Sequence, residues 1–304
     1  MSVGDSAAPG SSASGCAGPA SSASGSTATM GVRGGGLSWL VVGAASVTGL
    51  LAFTWMFFAG PGSFLAAAGT DGTWLFSVLL ALLAAAVGAQ LASGAFDAKT
   101  VALIGVLSAA GGALRVLGAG TAGLDPMFLV LVVAGRALGP LTGFVTGGLT
   151  MLAGGVLTGR VGPWTPFQML ACAWVAMGAG LLPGGRRLRD DDAARPPRSE
   201  RWLLAAYGLV AGVAYGFLTS MWFWPVMAGS AGGLGYDATA GTVANLTNYL
   251  SFWLLTAMGW DLPRGILTAL LCLAAGPAIL AMIRRAITRA GFAAPVRFHP
   301  EERL

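Results

Sequence analysis

Apolar residues fill this chain in long unbroken runs, neither alternating as in a half-buried strand nor striped as in a soluble helix. Runs long enough to cross about 30 Å of hydrocarbon at about 1.5 Å per residue lie at 37–59, 74–93, 100–117, 165–183, 202–225 and 263–284. The stretch 124–158 is too long for one helix, and Gly139-Pro140 stands in its middle. Proline lacks the backbone N–H and clashes with the preceding turn, so the stretch divides into 124–138 and 140–158, the first short and either tilted or buried in protein. The run 242–258 carries Asn245, Asn248 and Tyr249 and is the least lipophilic. It reads as a re-entrant or surface helix.

The pattern predicts an all-α polytopic membrane protein of eight spans, preceded by a Ser/Ala/Gly-rich tail over 1–36 that is too poor in apolar residues to order. That tail has no basic start followed by an apolar core, so the first span is expected to be uncleaved. Orientation follows from the bases. Residues 186–201 and 284–303 are both rich in arginine, and the positive-inside rule places both on the cytoplasmic side. An even number of crossings must separate them, met by 202–225 and 263–284. Both termini are then cytoplasmic and 14 of the 17 Lys and Arg residues face inward, leaving Arg115, Arg160 and Arg264 toward the exterior. The organisation expected is a disordered tail (1–36), two helices (37–93), a six-helix core (94–288) and a basic tail (289–304).

Composition agrees: 55% of residues are hydrophobic and 10% charged, against roughly 25% charged in soluble domains. The net charge of +5 belongs to loops beside apolar spans, which argues against nucleic acid as a partner. The one lysine, Lys99, lies in no GxxxxGK[ST] loop, so ATP hydrolysis by a P-loop falls to another subunit. His299 stands in a polar tail, and Cys16, Cys172 and Cys272 are far apart, excluding the common zinc, disulfide and His-triad patterns. The Asp190-Asp191-Asp192 run has no second acidic cluster to complete a two-metal site. No enzyme activity, metal or cofactor is expected. Apart from Asp125 at the very start of 124–138, no carboxylate lies within a proposed span, so proton coupling has no evident carrier.

Glycines Gly135, Gly139, Gly143 and Gly147 recur every fourth residue, as do Gly105, Ala109 and Ala113. Such spacing lets backbones approach closely. The first set is assigned to internal packing; the second suits either packing or a partner protein. At the outer side the chain brings together Arg115, Asp125, Arg160, Trp164, Gln168, Asn245, Asn248 and Tyr249, with Trp222 and Trp224 ending the span 202–225. Arg115, near the end of its span, snorkels or is paired. Trp222 and Trp224 fit interfacial anchors by position, and Trp222 is also a candidate lining residue. Trp164 and Gln168 stand in Gly162-Pro163-Trp164-Thr165-Pro166-Phe167-Gln168, where two prolines fix the backbone and a polar amide enters a span. This reads as the lip of a pocket. Asp261 and Arg264 are spaced to pair with each other.

The stretches Ala109-Ala110-Gly111-Gly112-Ala113-Leu114-Arg115, Gly135-Arg136-Ala137-Leu138-Gly139-Pro140, Gly162-Pro163-Trp164-Thr165-Pro166-Phe167-Gln168-Met169 and Phe223-Trp224-Pro225 resemble the substrate-specific S components of energy-coupling factor vitamin transporters, over about 100–290. The resemblance implies a six-span fold in the bacterial plasma membrane with both termini inside, and a ligand held on the outer side. It also implies delivery through toppling of the chain in the bilayer, driven by a transmembrane T subunit and two ABC ATPases. Contact with the T subunit would fall on Gly105, Ala109 and Ala113, and the spans 37–59 and 74–93 are additions to the six-helix pattern. The aromatics and three outer arginines suit a large flat ligand, a corrinoid first and then riboflavin or a thiamine-type pyrimidine. The competing classes are an ion-coupled secondary transporter and a non-transporting membrane scaffold.

Overall fold

The computed structural model describes residues 36–58, 60, 73–92, 98–118, 121, 123–184, 198–227 and 233–289. The expectations for the N-terminal tail, the Asp190–Asp192 run and the basic C-terminal tail lie outside these residues. The described helices are α1 (Gly36–Thr54), α2 (Thr73–Ala92), α3 (Ala98–Gly118), α4 (Met127–Leu138), α5 (Pro140–Leu157), α6 (Thr165–Leu181), α7 (Arg198–Met227), α8 (Gly241–Ala274) and α9 (Gly276–Arg289). A 3₁₀ turn, Trp55–Phe57, continues α1. No strand occurs among the described residues.

The centre of the bundle is α4, all 12 residues of which are buried. At about 1.5 Å per residue it is about 18 Å long, too short to cross hydrocarbon alone and shorter than the expected 124–138. Gly139 has φ 94°, a conformation open chiefly to glycine, and Pro140 starts α5 where its missing N–H costs nothing. The period-four glycines pack against α6: a Cβ on Gly143 would come within 2.9 Å of the Ala176 carbonyl oxygen, and Gly135 and Gly147 leave still less room at Ala176 and Cys172. Packing is thus their use. A second seam escaped the sequence reading. Gly208, Gly212 and Gly216 on α7 face Thr268, Gly265 and Asp261 on α8, with a Gly212 Cβ 2.8 Å from the Gly265 Cα.

At the end of the bundle where α4 and α6 finish and α7 begins, the buried Arg136 donates to both Glu200 carboxylate oxygens at 2.5 and 3.1 Å, and to the carbonyls of Leu182 and Pro183 at 2.7 and 2.8 Å. The bidentate geometry satisfies both charges where water is excluded. It ties three helices together.

The last third corrects the expected topology. Residues 242–258 and 263–274 form one helix, α8, carrying a π turn at Trp253–Ala257. A 61° bend then leads into α9, so 263–284 is not one straight helix. The polar residues that made 242–258 look interfacial are turned inward, while Val243, Leu246, Leu250 and Leu254 are exposed. The amphipathic α9 buries Leu280 and Ile283 and carries Arg284, Arg285 and Arg289. Four helices, α1, α3, α5 and α7, are long and apolar enough to cross a membrane, or five if the bent α8–α9 pair counts as one. Shorter apolar helices among the described residues are Leu80–Ala89, Met127–Leu138 and Thr165–Leu181. Buried residues of α1 and α2, among them Val42, Phe53 and Leu83, join the core that α3 to α8 form.

Candidate functional site

At the end of the bundle opposite Arg136, the last turn of α3 brings Arg115 to within 3.3 Å of Asp125, in the loop before α4. Arg115 is therefore paired, and its stem packs on Gly154 of α5, where any side chain would collide with it. Asp125 also accepts from the Met127 N–H at 3.2 Å. Burial pushes the Asp125 carboxyl up from its ordinary value, opposed by Arg115, this N–H and Arg264. The pair ties the end of α3 to the loop before α4.

A second pair stands beside the first. Arg264 donates to Asp261 at 2.6 Å, as its spacing predicts, and Trp253 Nε1 donates to the other carboxylate oxygen at 2.9 Å. Gly216 makes this possible, because a Cβ there would overlap the Asp261 carboxylate. The Arg264 guanidinium lies 5.2 Å from the Tyr215 ring centroid and 5.8 Å from that of Phe128, within cation–π range. The two rings meet edge to face at 4.9 Å. Asp261 lies inside α8 and Glu200 inside α7, so the expectation that no span carries a carboxylate is corrected; both are buried and both are ion-paired.

The Tyr215 hydroxyl is buried beside Arg115 and Cys172 without a well-formed hydrogen bond. Gln168 lies one helical turn before Cys172, on the same face of α6. Its side-chain amide makes no hydrogen bond among the described residues, and it is half-buried. Native interiors rarely leave such groups unmatched without a ligand, water or ion to meet them. Next to Gln168, Phe167 packs against Trp222 at 5.3 Å. Trp164 is 39% exposed and its ring covers Gly162.

The other sequence candidates serve the scaffold. Asn245 accepts from the Asp237 N–H at 3.0 Å and donates to the Asp237 carbonyl at 2.7 Å, and Asn248 donates to the Gly235 carbonyl at 3.4 Å. Tyr249 donates to the Phe217 carbonyl. These contacts pin the 233–240 segment to α8 and engage the Asn245 amide and the Tyr249 hydroxyl. Trp224 is not an interfacial anchor: it is fully buried, donating to the Leu234 carbonyl at 2.9 Å and meeting Tyr249 at 5.3 Å. The sequence reading missed Tyr215, Phe128 and Trp253. The Gly208/Gly212/Gly216 period was the available signal, marking the face of α7 that receives Asp261. No group of three or more metal-ligating side chains occurs among the described residues.

A helical bundle with membrane-length apolar helices, and with two part-buried ion pairs and an unmatched buried hydroxyl at one end, defines a multi-pass membrane protein with a candidate small-molecule site. The family described as "ECF transporter, substrate-specific component" matches residues 99–275, more than half of the chain, and the protein belongs to that family. It is a substrate-specific component of an energy-coupling factor importer. Comparison with curated proteins and with solved structures gave no significant match.

Proposed function

We propose that this chain captures a vitamin-type micronutrient at the outer face of a bacterial plasma membrane and hands it to a T subunit driven by two ABC ATPases. The supporting observation is the unmatched Tyr215 hydroxyl, with the half-buried Gln168, two ion pairs and a set of rings around it. The outer arginines bear on the ligand. Arg115 and Arg264 are already neutralised by Asp125 and Asp261, which favours a flat ring with hydrogen-bonding edges over a strongly anionic compound. Riboflavin or a thiamine-type ring meets that description, and a corrinoid, first on the count of arginines, loses two of the three. The exposed Gly105, Ala109 and Ala113 are the proposed contact for the T subunit; the first two helices pack against α5, α6 and α7 and leave that stripe uncovered.

Purified chain, without partners, is expected to be stabilised by one of riboflavin, thiamine or cobalamin in a thermal-shift screen, since ligand at 100 times its dissociation constant contributes about 2.7 kcal/mol. Gln168→Ala and Tyr215→Phe should each weaken that ligand about tenfold or more. Tyr215→Phe should leave the ligand-free melting temperature unchanged or higher, because it removes an unmatched buried hydroxyl and keeps the ring. Folded protein stabilised by none of the three contradicts the proposal.

Asp261 supports a second reading, an ion-coupled secondary transporter, because a buried carboxylate within a helix is the type of group such proteins use. Its carboxylate oxygens accept from Trp253 and from Arg264, which hold it in place. The first reading is favoured.

A further inference from the structure

The two ion pairs leave the candidate site rich in hydrogen-bond donors and short of acceptors. Each of the four carboxylate oxygens already accepts a bond: those of Asp125 from the Met127 N–H at 3.2 Å and Arg115 Nη1 at 3.3 Å, those of Asp261 from Arg264 Nη1 at 2.6 Å and Trp253 Nε1 at 2.9 Å. Neither Nε nor Nη2 of Arg115 or of Arg264 donates to any group among the described residues, and the two side chains are 18% and 14% exposed. Tyr215 adds one more donor. Its hydroxyl, buried and without a partner, lies beside the Arg115 guanidinium and the Cys172 thiol. Arginine has no acceptor and a thiol is a weak one, so the hydroxyl proton meets no good acceptor within the chain.

Arg115 is the more loosely held of the two arginines, with Asp125 at 3.3 Å and Met127 Sδ at 4.0 Å, against 2.6 Å for Arg264 on Asp261. A ligand therefore reaches the Tyr215 hydroxyl by displacing Arg115, while Arg264 stays fixed beside the rings of Phe128 and Tyr215. The charges of the cluster balance, two positive against two negative, so the fitting ligand brings acceptors without bringing charge. A cation would face two guanidiniums, and a carboxylate would compete for them with Asp125 and Asp261. From this donor surplus we infer that the ligand is an uncharged flat heterocycle that enters with a carbonyl edge, one oxygen accepting from Tyr215 and Arg115. The inference rests on the binding role proposed above and narrows its substrate. The pyrimidinedione edge of riboflavin supplies two such carbonyls. Thiamine carries a cationic ring and an amino group that is itself a donor, and the primary amides around cobalamin are donors as much as acceptors.

The test uses full-length wild type with riboflavin, 2-thioriboflavin, 4-thioriboflavin, thiamine and cobalamin. Riboflavin is expected to bind about a hundredfold or more tighter than thiamine, because a site with unmet polar groups discriminates strongly against a ligand that cannot match them. Exchanging a carbonyl oxygen for sulfur keeps the ring and removes a good acceptor, so one of the two thio analogues should bind about tenfold or more weaker than riboflavin. With that analogue Tyr215→Phe should cost less than about twofold, against about tenfold with riboflavin, which isolates the bond between hydroxyl and carbonyl. Both thio analogues bound by wild type as tightly as riboflavin, or an equal loss from Tyr215→Phe with all three flavins, overturns this inference and leaves the binding role intact. Preference for thiamine or cobalamin over riboflavin does the same. A wild type that binds none of the three vitamins overturns both.

Discussion

Replacing Glu200 with alanine should abolish accumulation of folded protein in the membrane. The change strands the Arg136 guanidinium, 1% exposed, with two carbonyls and no counter-charge. Breaking a buried pair from one side costs about 3–5 kcal/mol, against a total stability of about 5–15 kcal/mol for a typical domain. The bond also joins α4 to α7 across 64 positions of sequence, so its loss releases the start of α7 from the core. Arg136→Met combined with Glu200→Leu should recover most of the lost stability, because an apolar pair of similar volume has no charge to bury. Fluorescence-detected size exclusion of the single and double variants measures this. Equal behaviour of Glu200→Ala and wild type would show that Arg136 needs no partner.

The second large effect is expected from one methyl group. Gly216→Ala places a Cβ where the Asp261 carboxylate now sits. The carboxylate must move, and it is held by Arg264 at 2.6 Å and Trp253 at 2.9 Å, so the move breaks bonds that no water can replace. Overpacking of this kind costs about 1–3 kcal/mol, and it also releases Arg264 from between Phe128 and Tyr215. Ligand affinity should fall about tenfold or more, with a clear drop in melting temperature. Gly105→Ala is the matched control: a Cβ there meets nothing within 4 Å, so stability should hold. If Gly216→Ala binds ligand as wild type does, the second ion pair has no part in the site.

Backbone chemistry was the most legible part of the sequence. Gly139-Pro140 marked a real helix boundary because it depends only on local geometry, and the Gly135-to-Gly147 period marked a real packing seam. Asp261 and Arg264, one turn apart, found each other. The failures share one cause. Asn245, Asn248 and Tyr249 looked like pocket-lining residues because their partners, the 235 and 237 carbonyls and the backbone of Phe217, are not local in sequence. Apolar count could not separate α9, whose Ile279, Leu280, Ile283 and Ile287 pack inward in part, from the end of a span. Arg136 was noted only as part of a motif, since nothing near it in sequence identifies Glu200. Nor does spacing foretell that rings before residue 58 would join rings after residue 160.

The same comparison bears on assembly. The added helices leave the Gly105, Ala109 and Ala113 face of α3 open, so this chain keeps a smooth surface of small residues available to a helical partner. The site end and the Arg136 end are separated by the length of α4 and α6.

The central claim, that this chain supplies specificity and leaves energy to partners, is tested most directly by uptake into proteoliposomes. The chain alone should bind the vitamin identified in the thermal-shift screen without accumulating it, and accumulation should appear only when a T subunit, two ABC ATPases and ATP are supplied. Accumulation by the chain alone under an imposed proton or sodium gradient would contradict the account and make Asp261 the first residue to examine as an ion carrier.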